Sequence, residues 1–160
     1  MEKEALVAQL TDWYGDLGLP VIALSGYSSQ TLADLVRRDA HAAGRETVLL
    51  FAGDLDPSGV DLERDFVART RCWDHAERVA LTAEQVRDYD LPPQPGKPTD
   101  SRAPRFVAEH GHLLQIEVDA LEPEQLHRLF DTALARWWDP DAYEAVLGAE
   151  QHDRDQLNER

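Results

Sequence analysis

The chain has 160 residues, 29% of them charged and 42% hydrophobic, which is enough for one domain with its own core and ordinary for a globular protein. Its 31 acidic residues outnumber 16 basic ones for a net charge of −15, so nonspecific attraction to phosphate backbones is disfavoured; a nucleic-acid role needs a local basic patch, a metal ion or a partner. The one cysteine, Cys72, excludes a disulfide framework and a cysteine zinc cluster and fits a reducing cytoplasm, while no apolar run approaches the ~20 residues of a membrane span and MEKEAL has no signal-peptide core.

EALVAQLTDWYGDL (4–17) carries Leu6, Leu10, Trp13 and Leu17 at helical spacing, with Gly18 and Pro20 as its stop. PVIALSG (20–26), short, apolar and closed by glycine, predicts a buried strand. Ser28 or Ser29 caps the next helix, SQTLADLVRRDAHAAG, which has Leu32, Leu35 and Val36 on one face and Gly44 at its end. TVLLFAG (47–53) is the clearest strand. Asp56-Pro57 is a helix start, with the helix predicted from Val60 to about Trp73. RVALT (78–82) predicts another strand, after which Thr82 caps a short helix. LPPQPGKPTDSRAP (91–104) reads as a loop. Phe106 and Val107 belong to a helix ending at Gly111. LLQIEVDAL (113–121) predicts a strand, PEQLHRLFDTALARWW (123–138) an amphipathic helix, and DPDAYEAVLGAEQ (139–151) the start of another before a polar, frayed end. The alternation of helix and strand predicts an α/β fold. Residues 1–120 form a Rossmann-like parallel sheet wrapped by helices, and residues 121–160 a helical C-terminal extension packed on it. In such sheets function gathers at the C-terminal ends of strands, where Asp54 and Asp56 fall.

FAGDLDPSGVDLERDF (51–66) therefore carries the chemistry, and three readings compete for it. A calcium loop would use Asp54, Asp56, Ser58, Gly59 and Asp65, but a strand precedes it where an EF-hand has a helix, and Asp61 occupies a position that should be apolar. A haloacid-dehalogenase-type phosphatase also sets Asp-x-Asp after an apolar strand, but Pro57 fits it poorly and its downstream acidic pair is not evident. In the third reading two carboxylates two residues apart face one hard cation, typically magnesium with much of its water retained. Pro57 and Gly59 let the next helix begin at once, so its N–H groups point at the same place, and a metal beside a helix N-terminus is a phosphate site.

Three stretches in order, MEKEALVAQL, VIALSGYSSQTLADLVRR and FAGDLDPSGVDL, resemble the Toprim region of the topoisomerase VI A subunit and its meiotic double-strand-break relatives over residues 2–82. Uncharacterised bacterial Toprim-like proteins are similar over nearly the whole chain, including an ALT…LPP…KPTDSR…DAL tail. The resemblance implies that Asp54 and Asp56 hold Mg2+ or Mn2+. Glu2 becomes a ligand or the general acid/base, with Glu4 as fallback, and Asp61 an outer ligand. Gly26, Tyr27 and Ser28, in a strand-to-helix turn beside the aspartates, and Ser58 and Gly59 at the helix start are candidate substrate contacts; Lys97, Arg102 and Arg105 in the Pro-rich segment are candidate phosphate contacts, with ordinary surface charge as the alternative. The expected function is Mg-dependent phosphodiester cleavage or strand transfer on nucleic acid, reached through a partner or a further domain, with no membrane role. The alternatives are a catalytically inactive Toprim-like interaction module and a small-molecule phosphatase. Two departures bear on this expectation. The strand that should precede Glu2 is missing, which exposes sheet edges that a homodimer would rebuild. The tyrosine-bearing winged-helix domain is absent, and Tyr14, Tyr27, Tyr89 and Tyr143 have none of its context. His110 and His112 suit a helix end better than a metal pair, and Trp137-Trp138 suits helix docking better than base stacking.

Overall fold

In the computed structural model, residues 3–24, 29–97 and 99–158 are described. The first helix, α1 (Lys3–Tyr14), runs into a 3-10 turn at Gly15–Leu17 and closes on Gly18, whose φ of 70° suits a residue without a Cβ. Its apolar period is realised: Leu6, Leu10, Trp13 and Leu17 pack on the core and Tyr14 is buried. Helix α2 (Gln30–Ala43) starts on Ser29, whose Oγ accepts from the Leu32 N–H at 3.1 Å, and ends at Gly44. Then follow β1 (Val48–Ala52), α3 (Pro57–Thr70), β2 (His75–Ala80) and α4 (Ala83–Asp88). Thr82 and Gln85 form a reciprocal capping box at the start of α4. The second half comprises β3 (Gln94–Pro95), α5 (Ala103–His110), β4 (Leu114–Gln115), α6 (Pro123–Leu134) and α7 (Pro140–Asn158).

The fold is mixed α/β and mostly helical. Among the described residues the parallel sheet has two strands: β1 pairs with β2 from Val48↔His75 to Ala52↔Ala80, with a bulge between Phe51 and Ala52. Strands β3 and β4 form a short antiparallel pair, and an antiparallel bridge from Leu55 to Ile116 ties the end of β1 to the end of β4.

Several expected elements are therefore smaller than their apolar runs suggest. Residues 20–24 form no strand; residues 25 and 26 lie outside the described set. Val21, Ile22 and Leu24 predict burial, but an apolar run specifies contact with other apolar groups, not a ladder partner, and Ile22 stays 36% exposed. The strand expected over 113–121 shrinks to β4 and the Ile116 bridge, because the chain turns into a 3-10 helix at Val118–Ala120. The loop at 91–104 holds β3 and the first two residues of α5. Helix α3 begins at Pro57, three residues earlier than expected, and β2 begins at His75. Helix α6 stops at Leu134, whose carbonyl accepts from the Trp137 and Trp138 N–H groups at 2.9 Å. Helix α7 continues to Asn158 where a frayed end was expected, and it buries none of its residues.

The core lies between the sheet ends and α6. Leu55, Val79, Leu81, Phe106, Ile116, Leu126 and Phe130 form one cluster, so α6 shares its core with the strands. Helix α1 docks on α6 through polar groups as well. The Tyr14 hydroxyl donates to Asp131 Oδ1 at 2.8 Å, and the Trp13 ring stacks on His127 at 4.3 Å. No helix among the described residues is long and apolar enough to cross a membrane.

Candidate functional site

Strand β1 delivers its C-terminal end to a turn anchored by Leu55, which is 1% exposed and exchanges two backbone hydrogen bonds with Ile116 at 2.9 and 3.2 Å. With Leu55 buried, Asp54 and Asp56 on either side of it stay partly exposed. Asp54 Oδ1 accepts from the N–H of Val118, the first residue of the 3-10 helix that follows β4, at 2.9 Å. Asp56 takes the extended conformation of an N-cap; its Oδ1 accepts from the Gly59 N–H at 2.6 Å and from the Ser58 hydroxyl at 2.7 Å. Pro57 occupies the first turn of α3, where its missing N–H costs nothing.

Gly59 makes this geometry possible. A Cβ there would lie 2.3 Å from the Asp54 carbonyl oxygen, so the first turn of α3 rests directly on the Asp54 main chain.

Arg78 is the residue that sequence reading missed. Its Nε donates to Glu63 at 2.6 Å, and its Nη1 donates to the carbonyls of Gly53, Asp54 and Leu81 at 3.0, 3.2 and 3.3 Å. Its Nη2 donates to the Gly59 carbonyl at 3.2 Å, and the guanidinium sits 5.0 Å over the Phe51 ring. One side chain, 13% exposed, thus ties the ends of β1 and β2 to the first turn of α3. The signal was an arginine opening the apolar run RVALT, where a charge needs buried partners.

Other expected site residues are distributed differently. Asp61 lies one turn inside α3, where its Oδ1 accepts from Arg64 Nε at 2.8 Å. Arg102 precedes α5 and grips Asp100 through two bonds of 2.8 and 2.7 Å, which holds the Asp100 carboxyl down at a pKa of about 2. Asp61 and Arg102 line one small cleft between α3 and α5, together with Pro57. Lys97 is exposed in the loop before it and does not line the cleft. Glu2, Gly26, Tyr27 and Ser28 lie outside the described residues. His110 ends α5 with its ring 4.4 Å from Phe106. Trp137 is 38% exposed and lies against His75, and Trp138 lies against Tyr143. Burial pushes the Cys72 thiol upward in pKa, away from the thiolate a nucleophile needs.

Among the described residues no group of three or more His, Cys, Asp and Glu is placed to hold a metal ion. A cation needing a full protein cage does not fit. Asp54 and Asp56 supply two carboxylates, and magnesium needs only one or two when water and substrate phosphate complete its shell. The hydrogen bonds to Asp54 and Asp56 all arrive at Oδ1. Comparison with protein-family models, curated proteins and solved structures gave no match.

Proposed function

We propose that the chain is a Toprim-like domain that binds Mg2+ or Mn2+ through Asp54 and Asp56 and acts in phosphodiester cleavage or strand transfer on nucleic acid. The observation that carries this reading is the turn at 53–59, where a strand end hands two aspartates straight into the N-terminus of a fourteen-residue helix. The order of the three resembling stretches supports it. Bound metal supplies charge neutralisation and polarisation of a phosphate. The chain's own residues supply position. Gly59 and Ser58 orient the Asp56 carboxylate, the Val118 N–H orients that of Asp54, and Arg78 fixes the backbone carrying both. Glu2 is the residue proposed to move the proton, and Asp61 an outer ligand. A reaction on nucleic acid through a partner that adds basic surface is consistent with the charge of −15.

The test is calorimetric titration of MgCl2 and MnCl2 into the wild type and a D54N/D56N variant, followed by cleavage assays on single- and double-stranded DNA and RNA. Binding by the wild type, absent in a folded variant, with metal-dependent cleavage, is the expected result. No binding by either protein sinks the metal site. Metal binding without cleavage favours a second reading, a non-catalytic interaction module. One observation speaks for that module: both aspartates already perform structural work, Asp54 across the fold and Asp56 as a helix cap.

A further inference from the structure

We propose that the cleft between α3 and α5 is a track for a phosphodiester backbone, gripped by Arg64, Arg102 and Arg105. The inference rests on the nucleic-acid reading above and deepens it by naming the surface that takes the substrate's phosphates.

In a chain of net charge −15, three guanidiniums line one cleft from two walls, Arg64 on α3 and Arg102 and Arg105 at the start of α5, with the carboxylates of Asp61 and Glu109 lining it beside them. Each is oriented by a carboxylate close in sequence. Asp61 accepts from Arg64 Nε at 2.8 Å, Glu109 from Arg105 Nε at 2.9 Å, and Asp100 from Arg102. A carboxylate at Nε fixes the plane of the guanidinium, which prepares it for the planar, forked recognition that phosphate rewards. The three side chains remain 44%, 35% and 60% exposed, within reach of a ligand. Asp61 and Asp100 are only 15% and 19% exposed, so these carboxylates stay in place and a phosphate would share each arginine with its carboxylate.

The position of the cleft gives it direction. Pro57, the first residue of α3 and the neighbour of Asp56, lines the same cleft as Arg64. Seven residues of helix span about 10 Å, the length of about three stacked nucleotides. A strand with one phosphate at Asp54 and Asp56 would thus lay its next phosphates along the arginines. The aromatic residue of the cleft, Phe106, is 2% exposed and offers no face for base stacking. Recognition is therefore by backbone alone and independent of sequence.

The experiment is fluorescence anisotropy with a labelled single-stranded dodecamer and its duplex, in EDTA, over a salt series. Without metal, oligonucleotide binding is separated from cleavage and from the aspartate site. For three contacted phosphates the wild type should bind the single strand with log K falling at a slope of about −2 against log salt. R64Q/R105Q should bind at least tenfold more weakly, with a slope reduced to about −0.7, and R64K/R105K should keep the slope near about −2 while recovering only part of the affinity, because lysine restores the charge and not the fork. D54N/D56N should bind in EDTA at least as tightly as the wild type, because two carboxylates beside the strand are neutralised, so a chain that binds oligonucleotide but no metal refutes the metal site and leaves the track standing. Tighter binding of the duplex would assign the track to duplex backbone. A wild type that binds neither probe at low salt, or an R64Q/R105Q protein that binds as the wild type does, overturns the inference even if metal-dependent cleavage is found.

Discussion

A methyl group at residue 59 would sit 2.3 Å from the Asp54 carbonyl oxygen, and that contact is with backbone, not with a side chain that can swing away. Two effects oppose each other in Gly59→Ala. Alanine favours a helix over glycine by about 1 kcal/mol. Forcing the first turn of α3 off the Asp54 main chain costs about 1–3 kcal/mol by overpacking, and here it also stretches the Arg78 bonds to Gly59 and Asp54. The clash should win, with a net loss of about 1–2 kcal/mol in urea unfolding and weaker magnesium binding by calorimetry. A variant as stable as the wild type would mean that the turn has slack, and that Asp54 and Asp56 are less firmly placed than the bond lengths imply.

Between elements, α1 is fastened to α6 by the Tyr14 hydroxyl on Asp131 and by the Trp13–His127 stack. Burial, then the Asp131 carboxylate, raise the Tyr14 pKa above the usual tyrosine range. Both folded and unfolded forms are protonated below about pH 10, so the contribution of this tyrosine is complete there. Above it the unfolded chain releases the proton while the folded one keeps it, and stability falls as pH rises. Tyr14→Phe should lose about 1 kcal/mol at pH 7 and show a shallower decline between pH 9 and 11 in urea unfolding. An unchanged decline would assign the alkaline loss to other groups. Neither partner of this bond was legible as such in the sequence, since Tyr14 and Asp131 lie far apart in the chain. What was legible is local. Ser29, Asp56 and Thr82 cap their helices, Gly44 closes α2, and VLLFA is a strand, because caps and periods act within a few residues. The site was half visible for the same reason. Asp56 with Ser58 and Gly59 is a local motif, whereas the Asp54 bond to Val118 and the Arg78 bonds to four carbonyls depend on how distant segments meet. The failed strand at 20–24 makes the complementary point, that an apolar run without its partner specifies no pairing.

For the whole molecule the excess of 15 negative charges is a uniform repulsion that any salt relieves, so raising NaCl should raise the melting temperature of both wild type and aspartate variants. Magnesium acts in two ways at once, by screening and by occupying Asp54 and Asp56, and only the second is specific to the folded chain. At matched ionic strength, MgCl2 at ten times its dissociation constant should stabilise the wild type by about 1.4 kcal/mol beyond NaCl. The D54N/D56N variant should show no such excess, although it has lost two of the 31 acidic groups whose repulsion is screened. Equal excess in both proteins would place the cation on the diffuse acidic surface, and with it the role of the two aspartates would reduce to tying Val118 and capping α3.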